Sequence, residues 1–115
     1  MDAMETVKKF MKAWRDRDWS EMFRYTQKTW QSKGGNNPPS LMDWFGPKKL
    51  TKTKIIDVYE ISDCCVDITL KISYLFISNL KETKIKARVI CETEPYKPNK
   101  DGTWGINPLS ILREF

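Results

Sequence analysis

Apolar residues fall at Met4, Val7, Phe10, Met11 and Trp14, with Lys8, Lys9, Lys12 and Arg15 between them. Steps of three and four collect the apolar side chains into one stripe and predict a helix over about residues 3–16. The run Asp16, Arg17, Asp18 interrupts that stripe. Asp18, with Glu21 three positions later, has the form of a capping box, in which polar side chains satisfy the free N–H groups of a helix start. It predicts a second helix over about 19–32, with Trp19 beside the cap and Met22, Phe23, Thr26 and Trp30 along one side. Lys33, Gly34 and Gly35 end it, and residues 36–39 form a loop. Ser40 with Asp43 repeats the cap pattern and predicts a short helix over about 40–45, carrying Leu41, Trp44 and Phe45 and stopped by Gly46 and Pro47.

Beyond Pro47 the period changes to two. Residues 53–61, rich in Ile, Val and Tyr, predict a strand, and Ser62 with Asp63 a turn. Over about 64–77, Cys64, Val66, Ile68, Leu70, Ile72, Tyr74 and Phe76 share one face, and Cys65, Asp67, Thr69, Lys71 and Ser73 the other. Ser78 and Asn79 turn the chain into a partner strand over about 82–94. There Thr83, Ile85, Ala87, Val89 and Cys91 point inward, and Lys84, Lys86 and Arg88 outward. Pro95 and Pro98 rule out continuation as a central strand, and Lys100, Asp101 and Gly102 turn into a last strand over about 103–106. An antiparallel sheet with one apolar face must be covered, and the N-terminal helices are the available cover. The expectation is one α+β domain spanning residues 1–115, with helices packed on one side of a strongly curved sheet.

Composition narrows the chemistry. There is no histidine, so the usual general base at neutral pH and the commonest metal ligand are both missing. Three cysteines, two of them adjacent, make neither a disulfide framework nor a zinc motif, and no cofactor or metal is expected. Cys64 and Cys65 project to opposite faces of their strand, and read as reduced thiols in the cytoplasm. Asp2, Glu5, Lys8 and Lys9 break any secretory core at the start, and no apolar run reaches the length of a membrane span. A net charge of +5 is compatible with plain solubility or with an anionic partner.

The opening helix ending in Trp14, the acidic turn Asp16, Arg17, Asp18 and Trp19, the pair of long strands and the closing Asp101-Gly102-Thr103-Trp104-Gly105-Ile106 resemble the nuclear transport factor 2-like superfamily, the cystatin-like cone fold. The resemblance covers nearly the whole chain. It implies a cone-shaped cavity between helices and sheet and a tendency to form homodimers, with no particular reaction, since fold does not fix function. The apolar tail Leu109, Ile111, Leu112 and Phe115 either packs on its own domain or, the favoured reading, contributes a dimer contact.

The leading expectation is a non-catalytic domain that binds a small apolar or acidic ligand or a protein partner. Its candidate ligand-binding residues are Trp30, Trp44, Tyr59 and Tyr74. The first alternative is a cavity enzyme of isomerase or cyclase type, which needs a buried carboxylate such as Asp57 or Asp43 beside a tyrosine. The second is an anion binder, through Lys84, Lys86 and Arg88 on the outer sheet face. Nucleic acid is the less favoured anion, because that face has no aromatic pair on which bases would stack.

Overall fold

In a computed structural model, which describes residues 1–114, the first two helices start by the same device. Asp2 accepts a hydrogen bond from the Glu5 N–H and opens α1, Ala3–Arg15. Asp18 accepts one from the Glu21 N–H and opens α2, Trp19–Arg24. α1 buries Val7, Phe10, Met11 and Trp14 of the stripe read from its spacing, while Met4 in the first turn stays exposed.

The helix expected over 19–32 is divided. α2 ends at Arg24, and a separate α3 runs Lys28–Ser32. The break is made by the last strand of the chain: the Ile106 N–H donates to the Tyr25 carbonyl and the Gln27 N–H to the Ile106 carbonyl. Thr26 forms a parallel bridge with Ile106, so strand-like pairing at Thr26 replaces helical bonding. Gly105 permits the approach, since a Cβ there would lie 2.5–2.6 Å from backbone atoms of Thr26 and Gln27.

The next helix also starts elsewhere than expected. α4 runs Pro38–Phe45, and its cap is Asn37 with Ser40 reciprocating, rather than Ser40 with Asp43. Pro38 and Pro39 fit the first turn because its N–H groups have no helical acceptor.

The sheet consists of β1 (Lys49–Ser62), β2 (Cys65–Phe76), β3 (Asn79–Glu94), β4 (Lys97–Pro98) and β5 (Thr103–Asn107), all antiparallel. Its order is β1-β2-β3-β4, with β5 also paired to β3. β1 begins at Lys49, before the expected start at residue 53, because Lys49 and Leu50 already pair with Leu75 and Tyr74. β4, a two-residue edge piece, was hidden by its proline. The β2–β3 turn is Ile77-Ser78, one residue earlier than Ser78-Asn79, and Phe76 pairs with Asn79.

Val66, Ile68, Leu70, Ile72 and Tyr74 of β2, with Ile85, Ala87 and Val89 of β3, form the buried inner face. The helices fill the space above it with Phe10, Trp14, Met22, Leu41 and Phe45. The Phe45 ring meets Trp14 edge-on at 5.0 Å between centroids, and the Trp14 indole N–H donates to the Lys48 carbonyl at 2.9 Å. The chain is thus an α+β cone of helices on a curved antiparallel sheet.

Of the two readings of the tail, the described residues follow packing on its own domain. Pro108–Leu112 forms α5, capped by Asn107, and Pro108 and Ile111 are buried in the chain's own core. Leu109 alone of the expected contact residues is more than a third exposed among those described, and Phe115 lies outside the described residues.

Candidate functional site: a basic outer sheet face

The four candidate ligand-binding residues do not form one site. Trp30, 3% exposed, packs edge-on against the half-buried Trp44 at 6.0 Å and beside Phe23 at 5.9 Å. Those two tryptophans are brought together as packing between α3 and α4. Tyr74 is buried on the inner face opposite Leu50. Tyr59, 66% exposed, stands on the outer face opposite Asp67, toward the other end of the strand pair.

The carboxylates proposed for a cavity enzyme are on the surface. Asp43 is exposed, and so is Asp57, which shares the outer face with Tyr59 and accepts a bond from the Val58 N–H. The buried acids of the described residues are Asp67 and Glu92, and both are engaged. Glu92 accepts from the Thr29 N–H at 3.0 Å, from the Gln27 amide at 3.2 Å and from the Thr29 hydroxyl. It caps α3, whose own N-cap residue, Gln27, makes no side-chain cap bond. In the sequence Glu92 counts only as an acid that dilutes the basic outer face; the signal of its capping role is its place directly after the apolar run Val89-Ile90-Cys91.

The outer face is organised by strand register, since residues opposite one another on neighbouring strands share a face. Lys54 of β1 lies opposite Lys71 of β2, and Lys71 opposite Lys84 of β3. Three like charges therefore stand in one row across three strands, an arrangement that costs energy when nothing neutralises it. Lys52 and Lys86 flank the row. Lys71 reaches Glu82 at 3.2 Å, but both side chains are about half exposed, so water screens that pair.

Next along the face, Arg88 grips Asp67 with two hydrogen bonds of 2.9 Å. The guanidinium holds the Asp67 carboxyl below its usual range, and the carboxylate raises Arg88 in return. The candidate anion-binding trio is therefore not uniform: Lys84 and Lys86 are exposed ammonium groups, while Arg88 is committed to Asp67. Lys86, Arg88 and Arg113 line a cleft of about 220 Å³ together with the acids Asp67 and Glu114 and with Asn107 and Ser110, where the Ser110 hydroxyl accepts from the Arg88 N–H.

All three cysteines are free, and burial pushes the Cys65 and Cys91 thiols up, away from the reactive thiolate. Among the described residues no group of three or more acids and cysteines is placed to hold a metal ion. No helix of the described residues is long and apolar enough to cross a membrane.

No protein-family model matches the sequence, and no curated protein matches it either. Solved structures do. A SEC-C motif-containing protein of Psychrobacter arcticus superimposes with a TM-score of 0.72 at 11% identity, covering 94% of this chain and 60% of its own. This chain thus spans 60% of that protein's length. An NTF-2-like protein of unknown function from Shewanella oneidensis MR-1 gives 0.60 at 14% identity over 90% of this chain and 89% of its own. A candidate isomerase from Bacillus subtilis gives 0.56 at 14% identity over 98% and 91%. Identities this low carry architecture and not activity. With the helices, the curved sheet and the inner core already in place, they show that the chain shares the cone fold of the NTF-2-like protein.

Proposed function

We propose that the chain is a non-catalytic protein-interaction domain that works as a homodimer and meets an acidic protein surface through the outer face of its sheet. The observation that carries the reading is the row Lys54, Lys71 and Lys84, set directly opposite one another on three strands. An anionic partner removes the repulsion that the free face bears. Nucleic acid is disfavoured as that partner because the face has no aromatic pair on which bases would stack. The reading makes Tyr59, exposed on the same face, a contact residue. It assigns the cone interior to packing: Phe10, Trp14, Leu41 and Phe45 occupy the place where a small apolar ligand would sit. The whole chain then acts as one domain, in the cytoplasm, with reduced cysteines.

The test uses poly-glutamate as a model acidic chain, with duplex DNA and anionic vesicles as competing polyanions. Poly-glutamate binding should weaken as salt rises and fall about tenfold or more in the triple variant Lys71→Gln, Lys84→Gln, Lys86→Gln. No binding at low salt, or binding indifferent to the triple variant, rejects the reading. Stronger retention of DNA or vesicles than of poly-glutamate assigns the face to those partners instead.

A further inference from the structure

β1 is an edge strand along its whole length: β2 pairs with one side of it, and no strand among the described residues pairs with the other. About half of its fourteen residues turn their backbone N–H and C=O groups to the unpaired side, where a passing strand could meet them. Ile56, Val58 and Ile61 stand exposed along this strand. Its charges are divided by position, with Lys49, Lys52 and Lys54 in the first half and Asp57 and Glu60 in the second. Two copies of such a strand laid antiparallel can bring Lys54 of each against Asp57 of the other on the outer face, while Glu60, opposite Val66, belongs to the inner face.

We propose that β1 pairs antiparallel with β1 of a second copy, about a two-fold axis perpendicular to the sheet, in the register that sets Lys54 opposite Asp57 of the second copy. The choice of occupant rests on the homodimer reading above.

Sidedness fixes the register. In a regular strand Lys54 and Asp57 are an odd number of positions apart and point to opposite faces, so they cannot meet across such an axis. β1 is not regular: its pairing with β2 shifts between Ile55 and Asp57, leaving Ile56 as an extra residue. Lys54 consequently lies opposite Lys71, and Asp57 opposite Thr69, both on the outer face. The same register sets Lys52, opposite Ser73, against Tyr59 of the second copy; Tyr59 itself lies opposite Asp67, again on the outer face. On the inner face it sets Thr53, which lies opposite Ile72, against Val58 of the second copy, a residue opposite Ile68. Every contact occurs twice by symmetry. The bulge at Ile56 is what makes the strand complementary to itself. Lysines placed only to repel other edges would not be followed by an acidic half on the same strand.

Sedimentation equilibrium on the wild type, Lys54→Glu, Asp57→Lys and the double variant tests the interface. Each single variant puts like charges opposite at two symmetric places, and the dimer dissociation constant should rise about tenfold or more. The double variant exchanges the charges and should restore wild-type association, which also shows that neither substitution unfolds the chain. A wild type that stays monomeric overturns both this interface and the homodimer reading. A dimer that both single variants leave unchanged, or that the double variant fails to restore, overturns the interface alone.

Discussion

At the β2–β3 turn, Ile77 has a φ of 49° and Ser78 one of 64°. Two consecutive left-handed residues are what a two-residue hairpin needs, and Asn-Gly is the sequence that supplies them without strain. A β-branched side chain is the least suited to that conformation, and Ile77 is 78% exposed, so packing does not offset the strain. Ile77→Asn with Ser78→Gly should stabilise the fold by about 1 kcal/mol, seen as a higher urea midpoint at unchanged slope. The same two residues explain a failure of sequence reading. Nothing in an Ile-Ser pair announces such a turn, so Ser78-Asn79 looked the better choice. With the true turn, Asp67 falls opposite Arg88, and a displacement by one position hides that pair. Asp67 titrates below its ordinary value of 3.8 because Arg88 binds its charged form. Its contribution to stability is complete above that ordinary value and is lost as pH falls through the lower folded value. Asp67→Asn should therefore be less stable than the wild type at neutral pH, yet lose less between about pH 5 and about pH 2 in urea titrations. An equal acid loss in both proteins would detach Asp67 from the acid limb.

At the scale of elements, periodicity reported what each segment buries but not what it bonds to. The α1 stripe and the alternation of β2 and β3 were legible because burial on one side imposes a period on the sequence. The division between α2 and α3 was not, because its cause, Ile106, lies about eighty residues away and leaves no local mark except the polar Thr26 within the stripe. Gly105 was legible only as part of a closing motif, while its physical role is to let β5 approach Thr26 and Gln27. Gly105→Ala should cost about 3 kcal/mol, because backbone and not a flexible side chain would have to move. Gly34→Ala, which meets nothing within 4 Å, is the control and should leave thermal and urea midpoints nearly unchanged. Equal effects at the two glycines would contradict the close approach. Glu92 belongs to the same class of long-range feature, since a side chain from β3 completes the start of α3.

For the whole molecule, the cone was readable in outline from helices followed by alternating strands, because an apolar sheet face has few ways to be covered. The outer face was readable only by halves. Lys84, Lys86 and Arg88 announced themselves along β3, but the row that includes Lys54 and Lys71 exists only once register is known. Candidate ligand residues chosen by type, Tyr59 and Tyr74, were separated by the same register, one to water and one to the core. The bond pair joining Tyr25 and Gln27 to Ile106 has a consequence for assembly. As the chain is synthesised from its N-terminus, the helical layer emerges first, but the Tyr25 carbonyl and the Gln27 N–H at its break have no partner until Ile106 arrives. The helices can collect and bury Trp14 early, yet their joint stays open until β5 docks. Final closure of the cone therefore waits for β5 to emerge, and the early helices pass that interval with the joint's polar groups in water.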